Sequence, residues 1–152
     1  MPKPSASPSW YELAQPDDRK RAKWSYGLNR TAWSSCGQAW DAVAITPSGR
    51  GLDTLAGLRI GPYVGALVLV DHVRGVLYVM VPAGSGDVLA GLPGVRVLSV
   101  GNELLLPASY DHSTEAADLI SHPRDGDPPT LVPAEKLAEQ LRAHPAEGVG
   151  GP

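Results

Sequence analysis

Asp71 and His72 close the apolar run Ala66-Leu67-Val68-Leu69-Val70, and a carboxylate that ends a buried strand can face a cleft and hold a divalent cation through oxygen. Asp41, directly after Trp40, is a second acid at the start of an apolar segment. Metal-dependent nucleotidyl transfer needs two or three converging carboxylates. On a single strand that convergence would read as acids at alternate positions, which share a face. Here the residue two beyond Asp71 is Val73, so the acids are isolated along the chain.

Other chemistries have weaker footholds. His72, His112, His122 and His144 are scattered, without zinc-ligand spacing. Asp111-His112 with His122, Asp125 and Asp127 reads either as an oxygen-and-nitrogen metal site or as a solvated polar loop. The single cysteine, Cys36, sits in Ser35-Cys36-Gly37 with no basic or histidine neighbour and reads as a small buried hydrophobe. It also excludes an internal disulfide. No Gly-x-Ser-x-Gly elbow occurs. Two small-residue loops after apolar segments, Thr46-Pro47-Ser48-Gly49-Arg50-Gly51 and Pro82-Ala83-Gly84-Ser85-Gly86-Asp87, are candidate anion cradles or plain turns. Neither matches the P-loop or the dinucleotide fingerprint. Arg19, Arg21, Lys23, Trp24 and Arg30, with Tyr26 and Trp33 nearby, mix cations with rings as single-strand binders do; the competing reading is a solvated helix with Trp anchors.

The elements that must position these residues follow from the pattern. Residues 1–9, rich in Pro and Ser, predict a disordered tail, and residues 145–152 a flexible one. A first helix is expected from Ser9 past Leu13. A second follows Pro16-Asp17-Asp18, with Trp24, Leu28 and Ala32 on one face. From Trp40 the chain reads as strands: Trp40–Ile45, Ala66–Val70, Val76–Val81, Val95–Val100 and Glu103–Leu106. Asp71–Gly75 reads as a hairpin turn, and Gly101-Asn102 as a second one joining the last two strands. Leu52–Leu58 predicts a short helix and Asp87–Leu92 a helical turn. Residues 107–133 read mostly as loop. Pro133 at the first helical position then opens a helix over Ala134–Arg142, with Leu137 and Leu141 toward the core.

The fold expected is therefore α+β. It is a single domain over 10–144, with a mostly antiparallel sheet of about five strands, N-terminal helices and a C-terminal helix. The 152 residues and 43% hydrophobic content suffice for a real core. The net charge of −3 carries no global pull toward nucleic acid, but it is uneven: residues 1–33 sum to +3 and the remainder to −6. No apolar run reaches the ~18 residues of a membrane helix, and no apolar signal region opens the chain. A cytoplasmic location and no membrane contact are expected.

Four segments together resemble a known family: Cys36-Gly37-Gln38-Ala39-Trp40-Asp41-Ala42-Val43, Val76-Leu77-Tyr78-Val79-Met80-Val81-Pro82, Leu92-Pro93-Gly94-Val95-Arg96-Val97-Leu98 and Glu103-Leu104-Leu105-Leu106-Pro107-Ala108-Ser109. Their order is similar to that in small actinobacterial proteins related to the N-terminal domain of bifunctional DNA primase/polymerases, over roughly residues 34–142. The resemblance implies an archaeo-eukaryotic-primase-like α+β fold. Active members extend DNA or RNA using acidic metal ligands and a His that contacts nucleotide phosphates. In this chain the His position falls on Val76, Asp71 is the candidate remnant of the paired acids, and Arg74 is placed to take over part of the phosphate contact.

The resulting expectation is a catalytically degenerate primase/polymerase-like domain that binds nucleic acid or a nucleotide in replication or regulation and needs no cofactor. Asp41, Asp71, His72 and Arg74 would line a remnant cleft, and Arg19, Arg21, Lys23, Trp24 and Arg30 would contact nucleic acid. Two alternatives stand beside it. One is a minimal nucleotidyl transferase using Mg²⁺ or Mn²⁺ on Asp41 and Asp71. The other is a protein-interaction module or homodimer that pairs through an exposed strand such as Glu103–Leu106.

Overall fold

Alternating apolar residues build the centre of the molecule, and the alternation decides what lies on each side of it. The computed structural model describes residues 31–37, 40–59, 65–107, 114–121 and 130–144. Strands β1 (Thr31–Ser35), β2 (Trp40–Ile45), β3 (Val68–Asp71), β4 (Val76–Pro82), β5 (Val95–Leu98), β6 (Glu103–Pro107) and β7 (Asp118–Ser121) are joined by helix α1 (Ser48–Gly57) after β2, a 3₁₀ turn at Gly86–Leu89, and helix α2 (Ala134–Ala143) at the end. Five strands form one sheet in the order β5-β2-β4-β3-β7, antiparallel at every junction, and β1 and β6 form a separate two-stranded ribbon.

The sheet is sandwiched. Val43, Ile45, Val68, Val70, Leu77, Val79 and Val81 face the two helices and pack with Leu55, Leu137 and Leu141. Trp40, Ala42, Leu69, Met80 and Leu98 face the other way and pack with Leu104 and Leu106 of the ribbon. Strand β2 is buried at all six positions because both of its faces are covered. The α+β class and the five-stranded antiparallel sheet are as the sequence predicts.

Several boundaries, one pairing and the fifth member of the sheet differ: β7, within a stretch expected as loop, takes the place expected for Glu103–Leu106. Val95–Val100 and Glu103–Leu106 do not form a hairpin: β5 pairs with β2, and β6 pairs with β1 along its whole length. The turn between them is real, closed by Asn102 N–H donating to the Ser99 carbonyl and Ser99 N–H donating to Asn102 Oδ1. It lifts the chain off the sheet so that Leu104 and Leu106 cover the apolar face around Trp40. The same pairing means β6 is not the bare edge expected for dimerisation on the side that β1 occupies.

Ala32, expected on a helix face, lies in strand β1. The earlier helices predicted over Ser9–Leu13 and after Asp18, and the two tails, lie outside the described residues. The stretch 107–133 contains β7, and its Thr130 bridges to Ala66. Helix α1 begins four residues before the predicted Leu52, and Pro133 sits at the N-cap rather than the first turn of α2. No helix among the described residues is long and apolar enough to cross a membrane.

Helix α1 reaches the sheet through Gly51. A Cβ built there would stand 2.9 Å from Leu77 Cβ, an atom held by the central strand β4. Gly51→Ala would ordinarily favour a helix by about 1 kcal/mol. Here overpacking of about 2 kcal/mol should outweigh it. The expected result in urea unfolding is a net loss of about 1 kcal/mol; a gain would mean the helix can slide outward.

Candidate functional site

The β3–β4 hairpin positions the first site residue. Asp71 pairs with Val76 across the hairpin, and Gly75, at φ 70, returns its N–H to the Asp71 carbonyl. The Asp71 side chain is 5% exposed. Its Oδ1 accepts the backbone N–H groups of Val73 and Arg74, each at 3.0 Å, which closes the turn. Its Oδ2 lies 4.0 Å from Arg74 Nε. The first duty of Asp71 is therefore structural, and it presents the largely exposed Arg74 at the hairpin tip.

Arg74 borders a groove of about 340 Å³ between the end of the ribbon and the open part of the sheet face, lined also by Leu69, Asp71, Tyr78, Arg96 and Glu103. A second cavity of about 450 Å³ shares Arg74, Tyr78 and Arg96 with it and extends toward Ala44, Thr46 and Gly94. The two are halves of one trough, with Arg74, Tyr78 and Arg96 at the divide. Burial pushes the Tyr78 phenol above its ordinary range and Asp71 adds to this, while Arg74 and Arg96 pull it back. Tyr78 therefore stays a neutral hydroxyl at physiological pH, able to donate as well as accept. Arg96 is exposed, and among the described residues no carboxylate lies within ion-pair distance of it. Two guanidinium groups and a phenol on one concave surface can hold an anion with an attached ring.

Asp41 is not part of this trough. It pairs with Val81 near the far end of β4, whereas Asp71 pairs with Val76, so roughly 17 Å of strand separates them at about 3.3 Å per residue. They also lie on opposite faces: Asp41 lines a cavity with Gly84 and Leu89 on the helix side. Metal pairs in two-metal sites stand about 4 Å apart. The nucleotidyl-transferase arrangement on Asp41 and Asp71 is thus not assembled. His72 turns outward as well, with Nε2 2.9 Å from Asp118 Oδ2 on β7. Of the four expected cleft residues, the structure brings Asp71 and Arg74 together and leaves Asp41 and His72 elsewhere.

Asp41 has a different task. At 2% exposure, its Oδ2 accepts Gly84 N–H at 3.0 Å and its Oδ1 accepts the Ser99 hydroxyl at 2.9 Å. The small-residue loop after β4 is thereby filled by the protein's own carboxylate. Asp41→Ala would remove both hydrogen bonds to a buried carboxylate, so a loss of about 2 kcal/mol in stability is expected, with ligand binding at the trough unchanged in the folded fraction. Unaltered thermal unfolding would contradict that role.

The segment Thr46–Gly51, expected as a loop, is instead the lead-in and first turn of α1, and it is likewise occupied internally. Ser48 N–H donates to the Gly75 carbonyl, and the Arg50 side chain is turned into the protein. Cys36 is 2% exposed, and burial, with Asp41 and Glu103 adding to it, pushes its thiol from 9.0 up to about 12. A raised folded pKa means that unfolding releases the proton first. The contribution is complete below pH 9 and is lost as pH rises toward 12, so stability should fall across that window and less so in Cys36→Ala.

Among the described residues no group of three His, Cys, Asp or Glu side chains is placed to hold a metal. Asp111, His112, His122, Asp125 and Asp127 lie outside the described residues, as do Arg19, Arg21, Lys23, Trp24 and Arg30. Neither Tyr78 nor Arg96 is marked as a site residue by motif or spacing. Arg96 did carry a signal, being the one charge inside Val95-Arg96-Val97-Leu98. No protein-family model, curated protein or solved structure matches the chain.

Proposed function

We propose that this chain is a binding domain for phosphate-bearing ligands, a nucleotide or a short single-stranded nucleic acid, and that it is a catalytically degenerate relative of primase/polymerase domains. The observation that carries the binding role is the convergence of Arg74, Arg96 and Tyr78 on one trough. Arginine holds phosphate oxygens through paired N–H donors, and an adjacent phenol adds a further donor. The separation of Asp41 from Asp71 supports binding rather than transfer. The kinship with primase/polymerase domains rests on the four sequence segments around Trp40, Tyr78, Arg96 and Leu104.

The test is a titration of fluorescently labelled single-stranded oligonucleotides, read by anisotropy at low and at physiological salt. Binding should weaken with salt in proportion to the phosphates contacted. An Arg19, Arg21 and Lys23 triple alanine variant serves as a separate arm. Affinity that falls with the trough arginines and not with the triple variant supports this site. Affinity that falls only with the triple variant would move the function to the N-terminal segment, and no binding at low salt would refute the reading.

A further inference from the structure

We infer that the trough contains a slot for a planar heteroaromatic ring, with Ala44 as its floor and Tyr78 and Arg96 as its walls. The inference deepens the proposed phosphate-ligand reading and rests on it. Strand register supplies the geometry. Leu69 pairs with Tyr78, Tyr78 with Ala44, and Ala44 with Arg96, so these four residues form one row across β3, β4, β2 and β5 on the same face.

The next row, Met80-Ala42-Leu98, is buried beneath the ribbon. In the row at Ala44, Leu69 is buried with the ribbon cluster and Ala44 is 8% exposed, while Tyr78 is half-buried and Arg96 exposed; Ala44, Tyr78 and Arg96 line the second cavity together. Two strand spacings separate the Tyr78 and Arg96 backbones, about 10 Å. A flat ring in contact on both sides needs about 7 Å between its neighbours. Side chains of ordinary size at position 44 would occupy that gap, whereas the methyl of Ala44 leaves it open. A phenol on one side and a guanidinium on the other are both stacking surfaces for a ring. Arg74 borders both cavities at the same place and is positioned for the anionic group attached to the ring.

Adenosine 5′-monophosphate and ribose 5-phosphate separate this inference from the one beneath it, because they share sugar and phosphate and differ in the ring. In calorimetric titrations of the full chain, the adenosine nucleotide should bind at least about tenfold more tightly. Ala44→Leu should remove that difference and leave ribose 5-phosphate binding unchanged. Tyr78→Leu should also remove the difference while weakening both probes through loss of the phenol donor, and Tyr78→Phe should weaken both probes alike and keep the difference, which keeps the test decisive if the leucine at position 44 impairs folding. Equal affinities for the two probes in the unaltered protein would overturn the slot while leaving the phosphate site standing. Absence of binding by either probe would overturn both.

Discussion

Arg50→Met is expected to lower the unfolding free energy by about 4 kcal/mol, the largest stability effect of any single substitution considered. Arg50 is 7% exposed and carries its charge into the space between α1, α2 and the loop before β5. Its Nε donates to the His144 carbonyl at 2.7 Å and one terminal nitrogen to the Leu141 carbonyl at 3.2 Å. The other terminal nitrogen donates to the Pro93 carbonyl.

Two of those acceptors belong to the C-terminal end of α2, where carbonyls lack helical partners and a cation is favoured. Methionine preserves the aliphatic length and removes all three donors, so the buried Leu141 carbonyl and the part-buried His144 and Pro93 carbonyls lose their partner. Arg50→Lys should recover only part of the loss, because a single ammonium cannot span the three carbonyls. Urea unfolding followed by far-ultraviolet circular dichroism measures it. A loss under about 1 kcal/mol would mean water can replace the guanidinium.

Arg74→Ala with Arg96→Ala should weaken nucleotide or oligonucleotide binding by about a hundredfold. The Arg74 contact to phosphate and the Arg96 stack on the base are each worth about 1.5 kcal/mol or more, and about 1.4 kcal/mol corresponds to tenfold in affinity. Both side chains are exposed, so stability should change by no more than about 0.5 kcal/mol. The salt dependence gives an independent reading: with Arg74 on phosphate and Arg96 stacked on the base, the logarithmic slope on a single strand should flatten by about 0.7, the share of one phosphate contact. A binding loss with an unchanged slope would indicate that the arginines shape the trough rather than touch phosphate.

The contrast between these two pairs of residues shows how far the sequence could be read. Arg50 stood in a small-residue loop that looked like an anion cradle, and its burial depends on α2, which follows more than 80 residues later. The β3–β4 hairpin was legible because everything it needs is local: two apolar strands, Asp71 to cap the turn and Gly75 at positive φ. The C-terminal helix was legible for the same reason, with Leu137 and Leu141 at a helical spacing and both fully buried.

The row Leu69-Tyr78-Ala44-Arg96 was not legible. It depends on β5 docking beside β2 rather than beside β6, a choice fixed by which face needs cover rather than by the turn between them. Asp41 misled for a related reason. An acid opening a strand resembles a metal ligand, but here it caps a loop and a turn from two distant segments, Gly84 and Ser99.

Ligand bound in the trough would lie on the ribbon side of the sheet. Amide chemical-shift mapping during titration with adenosine 5′-monophosphate tests it most directly. Saturable shifts are expected at Ala44, Arg74, Tyr78 and Arg96, with Gly84 and Asp87 on the opposite face unmoved. Shifts centred on residues 82–87, or none anywhere at millimolar nucleotide, would contradict it.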